Sequence, residues 1–415
     1  MKIAFQFYDY ADYAGGPTIN ALRLLSKLAE SNHTIHALVL YTQDYPNARK
    51  LQNLGIKCHI CERMHYTEDQ VKWYARIISE IQPDIFVANT STSASFLAPY
   101  LRKAGIPIIS THRTPDPTAQ SKAVFFATHP IYKHDAIVCV SSFLEKELQK
   151  HNTNNLITEV IPSGVPLSIH FADQSKPSYS FVYAGRFMER PKRLTTMLEA
   201  VAELYALNPN VSLTMVGGYE SEVITYSKKA ENLGIQNIVE CKPKLGGDLY
   251  KKELSKHRFI LLFSEFEGMP GAIMDGMSCG LIPIVANFHG IDELVKHGKN
   301  GFIIKNLKDD FKNLIIKIQQ DNYNLKSIAA NAIATIDARY SINAAAEKWI
   351  YLFERLSSQK TKKQFIIPTK IKLPSKKLRL YGDFRKPTLL EKVRYRLKIR
   401  TRIFKAINRI KHKLS

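Results

Sequence analysis

Short apolar runs alternate with helix-length amphipathic segments twice along this chain, and that alternation limits the fold more than any other feature. "KIAFQF" ends in an acidic, tyrosine-bearing loop with Gly15, Gly16 and Pro17, after which Ile19, Leu22, Leu24, Leu25 and Leu28 recur at helical spacing. Strand, glycine turn and helix follow one another. "IHALVLYT", "DIFVANTS", "PIISTH" and "DAIVCVS" read as further buried strands, "TEVIPSGV" as another, and "VKWYARIISEI", "SASFLAPYLRKAG" and "SSFLEKELQKH" as helices. Such alternation argues for parallel βαβ units with right-handed crossovers. After the polar stretch "HFADQSKPSYS" it starts afresh with "FVYAGRF", "RLTTMLEAVAELYA", "VSLTMVGG" and "SEVITYSKKAENLG". At 415 residues the chain exceeds what one core usually serves. The expected fold is therefore α/β, with two Rossmann-like domains facing across a cleft, and ligands beyond the carboxyl ends of the strands. The expected divisions are 1–169 for the first domain, 170–180 for a linker, 181–338 for the second domain, 339–358 for crossover helices and 359–415 for a tail.

The net charge of +22 suggests nucleic acid until its distribution is considered. From Lys360 to Ser415 there are 20 Lys/Arg against only Asp383 and Glu391, so the tail carries +18 and the remaining 359 residues are nearly neutral. No nucleic-acid partner is expected, because the body offers neither a basic groove nor a stacking motif. No apolar run approaches the roughly 18 to 20 residues of a membrane span, and the start of the chain lacks the unbroken apolar stretch of a signal peptide. A cytoplasmic location is expected. Five scattered cysteines fit a reducing compartment, and the lone C-x-x-C of Cys58 and Cys61 reads as strand rather than as a metal or redox site.

The residues that could carry chemistry each lie just after an expected strand. Gly15 and Gly16 allow close backbone approach at a helix start, where free N–H groups favour an anion. His112 ends "PIISTH" and is followed by Arg113; it could be a structural hydrogen-bonder or a site residue. Arg186 and Lys192, in "AGRFMERPKR", are either a solvated basic turn or the planar fork and point charge that a diphosphate needs. In "SEFEGMPGAIMDGMSCGLIPIVA", Pro270 suits a first helical turn, so the amides of Gly268, Met269 and Gly271 can face a ligand. Glu267 then lies in the preceding loop, able to accept from sugar hydroxyls. Asp275 falls about one turn into the helix, either as a surface residue or as a carboxylate for a ribose. Gly276, Cys279 and Gly280 suggest that this helix packs closely against a neighbour.

At these residues the chain resembles the retaining glycosyltransferases of family 4, with the GT-B fold, from Met1 to about Leu356. The family wording "EG.P…LEAMACG.PV" appears here as "EGMPGAIMDGMSCGLIPIV", with aspartate in place of the second acid and glycine in place of the alanine after it. The glycine loop (Gly15, Gly16), "TH" (Thr111, His112), "IP.GV" (Ile161, Pro162, Gly164, Val165), "GR" with a lysine six residues later (Arg186, Lys192) and "VGG" (Val216 to Gly218) follow in the family's order. The resemblance implies a hexosyltransferase-type enzyme (EC 2.4) that takes its sugar from a nucleotide sugar and needs neither cofactor nor metal. It implies that Arg186, Lys192 and the glycine loop hold the donor diphosphate, and that Glu267, Gly268 and Met269 hold the donor sugar. Asp275 would hold the ribose, and His112 would contact the sugar from the opposite, acceptor-binding domain. Glu267 and His112 are thus the implied catalytic residues. Aspartate at 275 shortens the family's arm by one methylene, about 1.5 Å.

From Pro387 onward Leu390, Val393, Leu397, Phe404, Ile407 and Leu414 recur at spacings of three, four and seven with Lys and Arg between. That pattern reads as a basic amphipathic helix suited to an anionic membrane surface. The expected protein is peripheral to the inner face of the cytoplasmic membrane, with a saccharide or lipid-linked acceptor in lipopolysaccharide, capsule or glycolipid synthesis. Two alternatives are a sugar-nucleotide epimerase of the same fold and a non-catalytic glycosyltransferase-like membrane scaffold.

Overall fold

Seven strands, β1 (Lys2–Asp9), β2 (Thr34–Tyr41), β3 (Lys57–Glu62), β4 (Ile85–Asn89), β5 (Ile108–His112), β6 (Ala136–Cys139) and β7 (Ile157–Val160), form the first sheet of the computed structural model. Six more, β8 (Tyr179–Ala184), β9 (Val211–Gly218), β10 (Val239–Pro243), β11 (Phe259–Leu262), β12 (Ile282–Ala286) and β13 (Phe302–Ile304), form the second. The structure describes all residues except 10–15, 42–43, 63, 152, 154–155, 175–178, 360, 392 and 394–415. The orders are β3-β2-β1-β4-β5-β6-β7 and β10-β9-β8-β11-β12-β13, and every pairing is parallel. The order in which strands are added therefore reverses once in each sheet, between β1 and β4 and between β8 and β11. Such reversals open the crevices in which ligands of doubly wound sheets lie. Their strands are continuous apolar runs because helices cover both faces; β4 to β6, β11 and β12 are buried throughout.

The expected helix "SASFLAPYLRKAG" is two short ones, Thr92–Ser95 and Ala98–Lys103. Pro99 explains the break, since a proline in a helix interior lacks the N–H and clashes with the preceding turn, whereas it is tolerated in the first turn of a new helix. Cys58 and Cys61 lie on β3, and burial pushes both thiols up to about 11, so they remain protonated.

The chain passes between the two sheets twice, and the two passages touch. Val165 donates its N–H to the Tyr340 carbonyl at 3.0 Å, and its own carbonyl accepts from Ile342 at 2.9 Å. The helix Ile342–Ser358 then returns to the first sheet, where Trp349 and Phe353 join the core of β1, β2 and β4 and Trp349 meets Phe5 edge-on at 6.2 Å.

Beyond that helix the described part of the tail packs on the first domain. Residues 361–388 run as an irregular strap over the first domain, with Phe365 and Leu380 buried among Tyr74, Phe96, Leu101 and Tyr132. The reason is local. Apolar residues of the strap fill the outer side of the first domain's core, while its lysines point outward or pair with acids such as Asp84 and Asp69. Of the expected amphipathic helix, only Leu389 to Glu391 and Val393 are described, as helix; Leu397 to Leu414 lie outside the described residues.

Candidate active site

The carboxyl ends of β1, β5, β8 and β11 place the candidate residues around one cleft. Gly15 lies outside the described residues, and Gly16 opens the helix Gly16–Leu28 just after β1. His112 ends β5 and is only 2% exposed. Its Nε2 meets Gln120 Oε1 at 2.6 Å, and burial lowers its pKa to about 4, so the imidazole is neutral at ordinary pH.

Arg113, the next residue, was given no role from sequence, yet it is a main cation of the first domain's wall. Its guanidinium donates to Thr111 Oγ1 at 3.2 Å and to Ser163 Oγ at 3.1 Å, and no carboxylate among the described residues pairs with it. Burial pulls its pKa down only to about 10, so the charge stays. Ser163 also accepts from Asn20 on the helix Gly16–Leu28 at 2.8 Å, which ties the glycine-loop helix, the "IPSGV" turn and the end of β5 together. An isolated arginine after a strand gives no sequence signal by itself; its place beside His112 was the available hint.

In the second domain Arg186 follows β8 and is exposed, with no hydrogen bond or ion pair from its guanidinium among the described residues. Lys192 lies six residues later, and its Nζ is paired with Glu267 Oε1. Ser264 Oγ donates to the same oxygen at 2.7 Å. Glu267 Oε2 makes no hydrogen bond among the described residues. One oxygen thus fixes the carboxylate and the other remains able to accept.

Pro270 caps the helix Gly271–Ser278. Its first hydrogen bonds run from Ile273 and Met274 back to the Pro270 carbonyl. The amides of Gly268, Met269, Gly271 and Ala272 have no partner among the described residues and form the positive end of the helix beside Glu267. Gly268 is pressed against the first domain, where a β-carbon would stand 1.8 Å from the Arg113 carbonyl oxygen. Met269 reaches across as well, packing against the first domain's cluster of Ala123, Ala127, Ile137 and Leu144. The sequence-expected close packing of this helix holds at Gly276, where a β-carbon would lie 2.8 Å from Ile260 Cδ1.

Asp275 sits on that helix, 4% exposed and committed. Arg23 of the first domain donates one nitrogen to both carboxylate oxygens at 3.0 and 2.9 Å, and Lys251 Nζ lies 3.0 Å from Oδ1. Burial alone would raise the carboxyl's pKa, but Arg23 and Lys251 overcome it and hold the group below its usual value. The surface-residue reading of Asp275 is excluded. Arg23 is a residue that sequence reasoning missed, for a plain reason: it lies 252 positions from its partner, on a helix whose pattern shows only an ordinary polar face.

A second contact joins the domains at some remove from this carboxylate. Glu293 accepts from the N–H groups of Ser142 and Phe143 at 2.9 and 2.8 Å, capping the helix Ser142–Gln149 from the opposite domain, and Phe143 stacks on His289.

Two families match successive halves of this architecture: Glycosyltransferase Family 4 over residues 14–169 and Glycosyl transferases group 1 over residues 169–335. An uncharacterized glycosyltransferase of Methanocaldococcus jannaschii is 22% identical over 340 residues, 78% of this chain and 90% of that protein. The capsular polysaccharide biosynthesis glycosyltransferase CapH of Staphylococcus aureus is 25% identical over 184 residues, 42% of this chain and about half (49%) of CapH. The solved structure of Anabaena HepE in complex with UDP and glucose superposes with a TM-score of 0.70 at 19% identity, covering 86% of this chain and all (100%) of HepE. The doubly wound sheets, the cleft between them and the paired family matches agree: this chain belongs to the group 1, family 4 glycosyltransferases and has their two-domain GT-B fold.

Proposed function

We propose that the enzyme transfers a hexosyl group, with retention of configuration, from a nucleotide sugar to a saccharide or lipid-linked acceptor of the cell envelope. The observation that carries this reading is the Lys192–Glu267 pair beside the amides of Gly268, Met269, Gly271 and Ala272, which have no partner among the described residues, with Gly268 set against the Arg113 backbone. In this reading Arg186 and Lys192 hold the donor diphosphate, with Gly15 and Gly16 contributing backbone from the first domain. Glu267 Oε2 accepts from the sugar hydroxyls, and the amides of Gly268 and Met269 donate to the sugar. His112, neutral, contacts the sugar from the first domain. The ribose hydroxyls compete with Arg23 for Asp275. As the glycosidic bond breaks, cations at the diphosphate stabilise the charge developing on the leaving oxygen. That same oxygen takes the proton of the acceptor hydroxyl attacking from the same face, so the protein supplies no separate base. No metal is assigned a role.

Screening nucleotide sugars for thermal stabilisation tests the donor side, because a ligand that binds only the native state raises Tm by mass action. At least one nucleotide sugar should stabilise the wild type and Glu267→Gln alike, while transfer by Glu267→Gln falls about 100-fold. A glycosyl adduct trapped on Glu267 would assign it the role of nucleophile instead.

The envelope role rests on two supports. One is the likeness to CapH, whose name places that protein in capsular polysaccharide biosynthesis; the other is the tail, with +18 of the chain's +22. No helix among the described residues is long and apolar enough to cross a membrane, and the reading is peripheral attachment to the inner face of the cytoplasmic membrane through residues 392–415. Vesicles of phosphatidylglycerol should float the full chain and leave a chain truncated after Glu391 in solution, with its nucleotide binding intact. Equal flotation of both would end the membrane reading.

A further inference from the structure

The strap of residues 361–388 lies beyond both family matches, the later of which ends at residue 335, and it is fixed along its length. Lys362 pairs with Asp84 at 2.6 Å, Phe365 donates its N–H to Gln82 at 2.8 Å, and the hydroxyl of Tyr132 donates to the Lys372 carbonyl at 3.1 Å. Further along, Thr92 Oγ1 donates to the Tyr381 carbonyl, and Phe384 exchanges hydrogen bonds with Thr67 at 2.7 and 2.8 Å. Thr92 lies just past the carboxyl end of β4, and Thr67 opens the helix after β3. The strap therefore delivers Tyr381 to the ligand-binding edge of the first sheet, near the reversal between β1 and β4.

At that edge the Tyr381 side chain is not used to fill the core. Tyr381 remains 66% exposed although its backbone is pinned. Beneath it, Lys122 reaches up from the helix Pro117–Thr128, with its Nζ 2.6 Å from the Thr90 carbonyl and 5.8 Å from the centre of the Tyr381 ring. No carboxylate among the described residues approaches Lys122, and burial draws its pKa down to about 8. A cation held this way, desolvated and with no carboxylate beside it among the described residues, is well placed to take an anionic group from a ligand. An exposed ring on a fixed backbone offers an apolar platform at little entropic cost. The C–H face of a pyranose fits such a platform.

We propose that Tyr381 and Lys122 form an acceptor subsite for an acidic saccharide, with a sugar ring stacked on Tyr381 and the anionic substituent of the sugar bound by the Lys122 ammonium. The subsite rests on the glycosyltransferase reading above and names the substrate class that reading leaves open. It makes the strap part of the enzyme's specificity, in addition to its role as an anchor for residues 389–415.

Ligand-observed saturation-transfer NMR on the full chain tests it, with three probes: methyl glucuronide, glucose 6-phosphate and methyl glucoside. At least one acidic probe should bind the wild type more tightly than methyl glucoside does, and which of the two binds identifies carboxylate or phosphate. Lys122→Met should weaken that acidic probe at least about tenfold, the value of one charge-assisted hydrogen bond, and abolish the preference over methyl glucoside. Tyr381→Ala should weaken all the probes that bind the wild type, and Tyr381→Phe, which keeps the ring, should bind as the wild type does. Absence of any acidic preference in the wild type, or equal binding by wild type, Lys122→Met and Tyr381→Ala, overturns the proposal. Thermal stabilisation by nucleotide sugar, measured on the same samples, reports on the donor side separately; its presence without probe binding removes the subsite and leaves the transferase reading standing.

Discussion

Gly268→Ala is expected to lower the rate of sugar transfer by about 100-fold while leaving the second domain folded. The added methyl group would stand 1.8 Å from the Arg113 carbonyl oxygen, well inside any real contact, and that neighbour is backbone and cannot rotate away. The loop must retreat from the first domain, carrying Glu267 and the free amides with it. A displacement of about 1 Å at such a site costs on the order of 100-fold in rate, because the donor sugar and the acceptor are no longer held in reacting geometry. The measurement is steady-state transfer with the preferred nucleotide sugar, beside an equilibrium urea transition. Wild-type turnover in Gly268→Ala would show that the contact between Gly268 and Arg113 is absent from the reacting enzyme. Unfolding of the variant at low urea would move the effect from geometry to stability.

Asp275→Ala should destabilise the protein by roughly 3 to 5 kcal/mol, the usual cost of removing one member of a buried ion pair. The loss of the carboxylate leaves Arg23 and Lys251 facing each other with no charge between them, both with side chains more than four-fifths covered. Urea titrations of the wild type and variant give the difference directly. The double variant Arg23→Met/Asp275→Ala should recover part of it, because the remaining lysine keeps its bond to Ser278 Oγ at 2.6 Å. A cost below about 1 kcal/mol for Asp275→Ala would mean that the three charges are solvated in the working protein. The sign with pH is set by the lowered pKa of Asp275. Its contribution is present above the unfolded carboxyl value and is lost as the pH falls through the lower folded one.

The two sheets were legible because a buried parallel strand must be apolar on both faces, and "DIFVANTS", "PIISTH" and "VSLTMVGG" are largely written that way. The acid motif was legible because glycines and a proline beside a carboxylate record a backbone requirement in the sequence itself. What stayed hidden was pairing over distance. Arg23 carries no local mark of its bond to Asp275, and Glu293 none of its role as the cap of a helix in the other domain. The strap was read only as part of a basic tail, because its lysines dominate the count, while Phe365 and Leu380 decide where it lies. Charge density describes how a segment meets water; Phe365 and Leu380, with the hydrogen bonds around them, hold this one against the first domain.

The touching passages at Val165 and Ser341 give the second domain an unusual dependence on the first. Its entry and exit are side by side, so in chain terms it is an insert in a first domain that resumes with the helix Ile342–Ser358 and continues through the strap. Both attachments of the insert thus lie at one place, bonded to each other through Val165 with Tyr340 and Ile342. Excising residues 166–340 and joining the stem with a short glycine turn is the natural route to a free-standing acceptor half.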